Sequence, residues 1–358
     1  MKRILVTPLD WGLGHATRCI PIIRELLNRH CIVFIAGNGD SLALLKHEFP
    51  GLHYCNMPGY HPVYSSGDSM VLKMIRQFPK FLNAISEEHR EIESIIEANK
   101  IDVVISDNRY GCWSAKIPSI FITHQLNILM PKRFSWLSKV INSYNKQFIK
   151  KFTCCWIPDY PGDENSLSGK LSQVNWKHDT GVIHIGPLSR FSPSRNVAAQ
   201  YDVACILSGP EPQRSIFEDI AVSQLKRSAL RYVIVRGVLQ TQEKKIPDAV
   251  PFLNSYDLQD VISKSSLVIA RSGYSTIMDL AALHKNGIVV PTPGQTEQEY
   301  LADRWSERGV LYATTQNSFN LEIALKGSSL CTGFKKSMNN GNDLLKLRLD
   351  LILNDKFD

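Results

Sequence analysis

The chain has 358 residues, with 44% apolar and 21% charged residues and a formal net charge of +7. At ~150 residues per domain it has room for two cores, and no apolar stretch approaches the ~18 residues that span a bilayer. The excess of positive charge suits phosphorylated substrates or an anionic surface.

The opening "MKRILVTPLD" has the basic start of a signal peptide, but its apolar run is short and meets Asp10. It is expected to be the first strand of a cytoplasmic protein. The next helix is expected from about Ala16 to Arg29, with Ile20, Ile23, Leu26 and Leu27 on one face. "CIVFIAG", "LHYCNMP", "IDVVISD", "SIFITHQ" and "CCWIPD" then read as buried strands. Between them Met70 to Asn99 is helical in period, with Pro79 expected to kink it. A stretch rich in Pro, Ser and Arg near 186–198 reads as a linker, after which the rhythm restarts. "YDVACILSG", "RYVIVRG", "LVIARSG", "GIVVPT" and "VLYAT" are the strands of the second half, with helices near 213–226, 257–264, 275–285 and 297–308. Leucines at 344, 345, 347, 349 and 351 predict a packed helix at the end. Uninterrupted Val/Ile runs between helices are what parallel sheets covered on both faces require. The expected class is therefore α/β, with two doubly wound domains facing across a cleft. The eight cysteines (19, 31, 55, 112, 154, 155, 205 and 331) lack C-x-x-C spacing. They read as buried small hydrophobes of a reducing compartment.

Ligands of open α/β sheets bind where strand ends run into helix N-termini. "DWGLGHATR", residues 10–18, is the first such loop. Gly12 and Gly14 allow a sharp turn and close approach to a ligand. Thr17 stands where a dinucleotide fingerprint needs a third small residue, and no acid closes "CIVFIAG", so a nicotinamide enzyme is disfavoured. His15 is either a base at a positive helix end or a residue that caps the turn. In "RSGYSTIMDLAALHKNGIVVPTPGQTEQEY", residues 271–300, Ser272, Gly273, Ser275 and Thr276 offer hydroxyls and helix N–H groups to a diphosphate. Asp279, one turn beyond Ser275, is either a ribose ligand or a solvated aspartate.

That last segment resembles the donor-binding segment of the family 28 glycosyltransferases. The family includes the cytoplasmic-face transferase that adds N-acetylglucosamine to the lipid-linked peptidoglycan precursor. The resemblance implies that Asp279, where a glutamate is usual, binds the ribose and that Gln298 binds donor sugar hydroxyls. Glu299 replaces the second glutamine of the family's pair. "WGLGHATR" is similar to the family's N-terminal loop, with His15 on its histidine, and "GPLSR" implies a diphosphate contact for Arg190. "ILSGPEPQR" takes the place of the phosphate loop but carries Pro210 and Pro212; Gly209, Gln213 and Arg214 remain as phosphate contacts. "PFLNSYDLQD" matches the base-gripping loop, so Leu253 and Tyr256 are expected to flank uracil. The implied fold is GT-B: an acceptor-binding domain over 1–187, a nucleotide-sugar domain over 188–341, and a helix over 342–358 crossing back onto the first.

Asp107, in "ISDNRYG", is a second base candidate or a cap, and His124 sits at another strand end where a structural histidine is equally expected. From Arg109 to Pro158 there is no Asp or Glu, but eight Lys or Arg interleaved with apolar Ile128, Leu129, Met130, Phe134, Trp136 and Leu137. Such a segment suits an anionic membrane surface or a lipid-diphosphate acceptor, or is an ordinary solvated face. The loop from Pro58 to Ser69, where the resemblance places acceptor specificity, mixes aromatic and small polar residues, as both sugar-facing loops and ordered surface loops do. The expected function is inverting, metal-independent sugar transfer from a nucleoside-diphosphate donor, UDP-linked, to a hydroxyl of a glycan, lipid-linked or small-molecule acceptor. No cofactor beyond that donor substrate and no nucleic-acid partner is expected. A UDP-sugar epimerase or a non-catalytic sugar-nucleotide-binding protein are the rival readings.

Overall fold

The structure is a computed structural model that describes residues 1–60, 77–173, 181–192, 197–238, 249–335 and 341–356. Of the sequence expectations, residues 61–69 of the acceptor loop, 70–76 of the long helix and 193–196 of the linker lie outside the described residues. Spatial proximity divides the described chain into two compact units. Unit 1 takes the residues up to Leu188 together with 341–356, and unit 2 takes those from Ser189 to 335.

Unit 1 runs β1 (Arg3–Pro8), α1 (Leu13–Asn28), β2 (Ile32–Gly37), α2 (Gly39–Glu48), β3 (His53–Asn56), α3 (Phe78–Asn99), β4 (Val103–Asp107), β5 (Ser119–Ile122), α4 (Ser138–Ile149), β6 (Cys154–Ile157) and β7 (Val182–His184). Its seven strands lie in the order β3-β2-β1-β4-β5-β6-β7, and every pairing is parallel. The cause is in the strands themselves. Ile4, Leu5 and Val6 of β1 and Val104 and Ile105 of β4 are wholly buried, so both faces need helical cover.

Unit 2 repeats the plan with β8 (Tyr201–Ile206), α5 (Gln213–Leu225), β9 (Tyr232–Val235), β10 (Ala249–Val250), α6 (Ser255–Ser263), β11 (Ser265–Ala270), α7 (Tyr274–Ala282), β12 (Gly287–Val289), α8 (Thr296–Glu307), β13 (Tyr312–Ala313) and α9 (Leu321–Ser328). The parallel order is β10-β9-β8-β11-β12-β13. Its core joins Val203, Cys205 and Ile269 of the sheet to Phe217 and Leu225 of α5. The chain ends in α10 (Gly341–Leu353), which packs on α1 within unit 1. Both units are Rossmann-like.

Three local expectations are corrected. Pro79 does not kink a helix, because α3 starts at Phe78 and the proline falls in its first turn, where no N–H is needed. Gly14 is not part of the turn, since α1 already begins at Leu13; the turn belongs to Gly12, whose φ of 92° suits glycine. The short edge strands β7 and β10 were not expected, being too brief for a pattern of alternation or burial to register.

Candidate functional site

In each sheet the strand order reverses beside the first strand, and the loops leaving the two central strands open side by side at their carboxyl ends. In unit 1 these are the loops after β1 and β4, whose register sets Pro8 against Asp107. In unit 2 they follow β8 and β11, with Ile206 against Ala270.

The unit 1 crevice holds a compact ionic cluster. His15, in the first turn of α1, lies with Nδ1 2.8 Å from Asp107 Oδ1. Asp107 is wholly buried and also accepts two hydrogen bonds from Arg18, at Oδ1 and Oδ2. Cys19 adds a weak thiol donor to Oδ2 at 3.8 Å. Burial opposes ionisation of Asp107, but the charge of Arg18, with hydrogen bonds from Arg18 and His15, outweighs it and draws the carboxyl down to about 2. A carboxylate that acidic has little affinity for a proton at neutral pH. The expectation of Asp107 as a second base is therefore corrected: the geometry makes it the acceptor that orients His15.

Beside this cluster a second buried pair fastens the crevice. Arg109 Nε donates to Glu88 Oε1 at 2.7 Å, and the same guanidinium reaches the carbonyls of Pro8 and Pro58. Tyr60 Oη donates to the other Glu88 oxygen at 2.6 Å, and Gly111 N does so at 3.1 Å. Arg109 is thus an internal tie joining β1, the loop after β4 and the residues before 61. It is removed from the basic surface expected over 109–158, because its charge is matched by Glu88 and both are fully buried.

The unit 2 crevice joins Arg190 to Asp279. Arg190 Nε lies 3.6 Å from Asp279 Oδ2, and Ser189 Oγ donates to Oδ1 at 2.6 Å. Burial pushes the Asp279 carboxyl up, with Arg190 and Ser189 only partly offsetting it. Gly273 is the N-cap of α7 and supplies no side-chain cap, which leaves the first-turn N–H groups of Ser275 and Thr276 for a ligand. Pro212 offers no side-chain cap to α5, where Glu211 Oε2 instead accepts from Ser215 N at 3.3 Å, whereas Asn254 and Asn320 cap α6 and α9 with their own side chains. Gly209 adopts a φ of 109°, a turn that favours glycine. Leu253 is half-buried before α6, and Tyr256 is 82% exposed on its first turn.

Other unit 2 candidates are engaged internally. Ser272 Oγ donates to the Gln298 carbonyl at 2.7 Å, so its hydroxyl ties the loop before α7 to α8 rather than standing ready for phosphate. Arg214, expected as a phosphate contact, pairs with Glu211 and Glu218, and Glu218 in turn pairs with Arg236. The Gln298 side chain accepts from Thr292 N at 2.8 Å and donates to Gln295. Exposed Glu299 accepts from Gly294 N at 3.0 Å, closing the turn before α8. Glu299 thus serves as a turn-former in this structure.

Arg271, the arginine that opens the "RSG" run, was not singled out as a site residue. It is 1% exposed and donates to the carbonyls of Gln213, Val290 and Pro291 and to the Gln316 side chain. Burial lowers its pKa to about 10. These oxygens are neutral, so they leave its positive charge uncancelled beside the N-termini of α5 and α7. Arg18 and Ser189 were also missed. The signal for Arg18 was its place one helical turn after His15, on the same face.

Comparison with known proteins bears on these crevices. Residues 222–342 match the family model "Glycosyltransferase family 28 C-terminal domain". The chain is a glycosyltransferase of GT-B fold whose residues 222–342 are similar to the family 28 C-terminal domain. The transferase is 25% identical over 325 residues to an uncharacterized glycosyltransferase of Methanosarcina acetivorans, covering 86% of this chain and 84% of that protein. It is 23% identical over 354 residues to the UDP-N-acetylglucosamine--N-acetylmuramyl-(pentapeptide) pyrophosphoryl-undecaprenol N-acetylglucosamine transferase of Natranaerobius thermophilus, covering 91% and 90% of the two chains. Among solved structures, the spinosyn rhamnosyltransferase SpnG aligns with a TM-score of 0.61 at 15% identity, over 96% of this chain and 99% of that one. MurG of Acinetobacter baumannii aligns with a TM-score of 0.55 at 14% identity, over 99% and 100%. These structural likenesses establish the fold.

Proposed function

We propose that the transferase moves a sugar from a nucleoside diphosphate, UDP in the first instance, to an acceptor hydroxyl by a single inverting displacement without a metal ion. The observation that carries this reading is the 2.8 Å contact between His15 Nδ1 and Asp107. With Nδ1–H donating to the carboxylate, Nε2 keeps its lone pair for a substrate proton. The acceptor hydroxyl gives its proton to Nε2 as its oxygen bonds to the anomeric carbon. The bond from that carbon to the diphosphate oxygen breaks, and its electron pair leaves with the nucleoside diphosphate. The open N-terminus of α7, Arg190 and the uncancelled charge of Arg271 suit the developing diphosphate charge. Asp279 supplies acceptors for ribose hydroxyls, which would replace the bond it takes from Ser189.

Calorimetry with UDP, UDP-glucose, UDP-galactose and UDP-N-acetylglucosamine, followed by UDP-release assays with lipid and glycan extracts, tests the reading. UDP is expected only when an acceptor is present; sugar interconversion without acceptor would indicate an epimerase, and donor binding without any transfer a binding protein. His15→Ala should cut turnover about a thousandfold while leaving donor affinity in place. Asp279→Ala should weaken donor binding about tenfold.

The acceptor side has a surface suited to lipid. Trp136, Val140 and Tyr144 are 71%, 51% and 48% exposed and fall at four-residue intervals across residues 132–137 and α4. Exposed Arg133, Lys139, Lys150 and Lys151 accompany them. We propose that this face rests on an anionic bilayer, as interfacial helices with an aromatic stripe and basic flanks do. No helix among the described residues is long and apolar enough to cross one. Co-sedimentation should favour vesicles containing phosphatidylglycerol over pure phosphatidylcholine, and Trp136→Ser with Lys139→Glu should reduce binding about tenfold or more.

A further inference from the structure

The ionic cluster at the carboxyl end of β4 contains a cation that the reaction written above does not use. Arg18 is 3% exposed, and its guanidinium meets three titratable side chains from three segments. Nε and Nη2 donate to the two oxygens of Asp107 at the end of β4. Nη2 also lies 2.8 Å from His15 Nδ1, one turn earlier on α1. Nη1 lies 2.9 Å from Nδ1 of His124, which follows β5 and is 4% exposed. Cys19, a further titratable group against this carboxylate among the described residues, approaches from the same helix.

A guanidinium only donates, so the contacts fix where protons can sit. His124 Nδ1 must accept from Arg18, which puts the proton of its neutral ring on Nε2. At His15 the situation is the reverse. The ionised carboxylate of Asp107 only accepts, so Nδ1 of His15, 2.8 Å from Oδ1, donates there, and with its lone pair so engaged it is a second donor beside Nη2 of Arg18 rather than that group's acceptor. His15 therefore carries its proton on Nδ1. Charge gives the arrangement its purpose. A buried carboxylate with no other cation beside it draws a neighbouring imidazole to the imidazolium form, which has no lone pair. Here the fork of Arg18 already balances Asp107, and a second positive charge on His15 would sit against the first.

We infer that Arg18 is a positioning residue for the His15–Asp107 pair. It supplies the positive charge that Asp107 requires, so that His15 remains neutral with an Nε2 lone pair, and it holds His124 in the opposite tautomer. The catalytic value of this device rests on the reading of His15 as the base. The proton arrangement itself does not, and it is tested without turnover.

Nitrogen-detected NMR of protein labelled with 15N-histidine, assigned with His15→Gln and His124→Gln, reads each ring directly. At neutral pH the wild-type protein should show His15 protonated on Nδ1 and His124 on Nε2. In Arg18→Met, His15 should become imidazolium at the same pH. Arg18→Lys keeps the charge and should hold His15 neutral while releasing His124 from its single tautomer. Arg18→Met combined with Asp107→Asn removes both charges and should return His15 to the neutral form. These two variants carry the test if Arg18→Met alone fails to fold by circular dichroism. A folded Arg18→Met protein whose His15 stays neutral at that pH would overturn the inference, as would a double variant in which His15 is charged. Turnover surviving His15→Ala would instead sink the base reading and leave these spectra to decide the role of Arg18.

Discussion

Asp107 and Asp279 are both carboxylates at crevice edges, and their surroundings drive them in opposite directions. Asp107 meets a bidentate arginine and an imidazole; Asp279 meets one arginine nitrogen at 3.6 Å and one hydroxyl. Burial penalises both, but only at Asp107 do the partners win. Because the folded carboxyl of Asp107, at about 2, lies below its ordinary value, its contribution to stability is complete above about pH 4. That contribution is lost as pH falls through about 2, and it amounts to roughly 2 kcal/mol. Urea midpoints measured from pH 6 to 2 should show this loss in the wild-type protein. Asp107→Asn should start less stable and lose less over the last two pH units. The raised carboxyl of Asp279 has the opposite sign, since its ionisation on raising the pH costs stability that ligand hydroxyls can restore.

The elements around the crevices depend on close approaches that no side-chain pattern advertises. Gly111 follows β4 with its Cα against α3. A Cβ there would come 2.3 Å from the Ile85 carbonyl oxygen and 2.5 Å from the Glu88 Cβ. Neither atom can swing aside, because one is helix backbone and the other begins a side chain held by Arg109 and Tyr60. Gly111→Ala should therefore cost about 2–3 kcal/mol in denaturant unfolding, through displacement of α3 rather than backbone strain. The helices themselves were readable. The continuous apolar strands and the 3.6-residue period of α1, α5 and α8 appear in the sequence within a few residues of where they fold. The roles of Ser272, Arg214 and Glu299 were not readable, because a hydroxyl, a guanidinium or a carboxylate looks the same whether it faces a ligand or a neighbouring helix.

Within unit 1, α10 is an integral part although it comes last in the chain. Leu345, Leu349 and Ile352 are buried to 2% exposure or less, while Leu344 and Leu347 on its other face are 37% and 53% exposed. Asp350 pairs with Arg29 at 2.7 Å, and Asp355 pairs with Lys2. Removing residues 341–358 should cost unit 1 about 5 kcal/mol, the worth of three buried aliphatic side chains. Hydrogen exchange would read this as lost protection in α1 and β6, with β8 and β11 of unit 2 keeping theirs. The sequence by itself determined two parallel α/β units, because strands apolar on both faces can be covered only by alternating helices. It also supplied the "RSGYST" run and its family likeness, because a strand running into an uncapped helix start is a local feature. Only the tertiary structure decided which polar groups meet. His15 and Asp107 are 92 residues apart in the chain and become neighbours because β4 pairs with β1 at the reversal of strand order. That pairing is a property of the whole sheet, and it brought two competing base candidates into direct contact with each other.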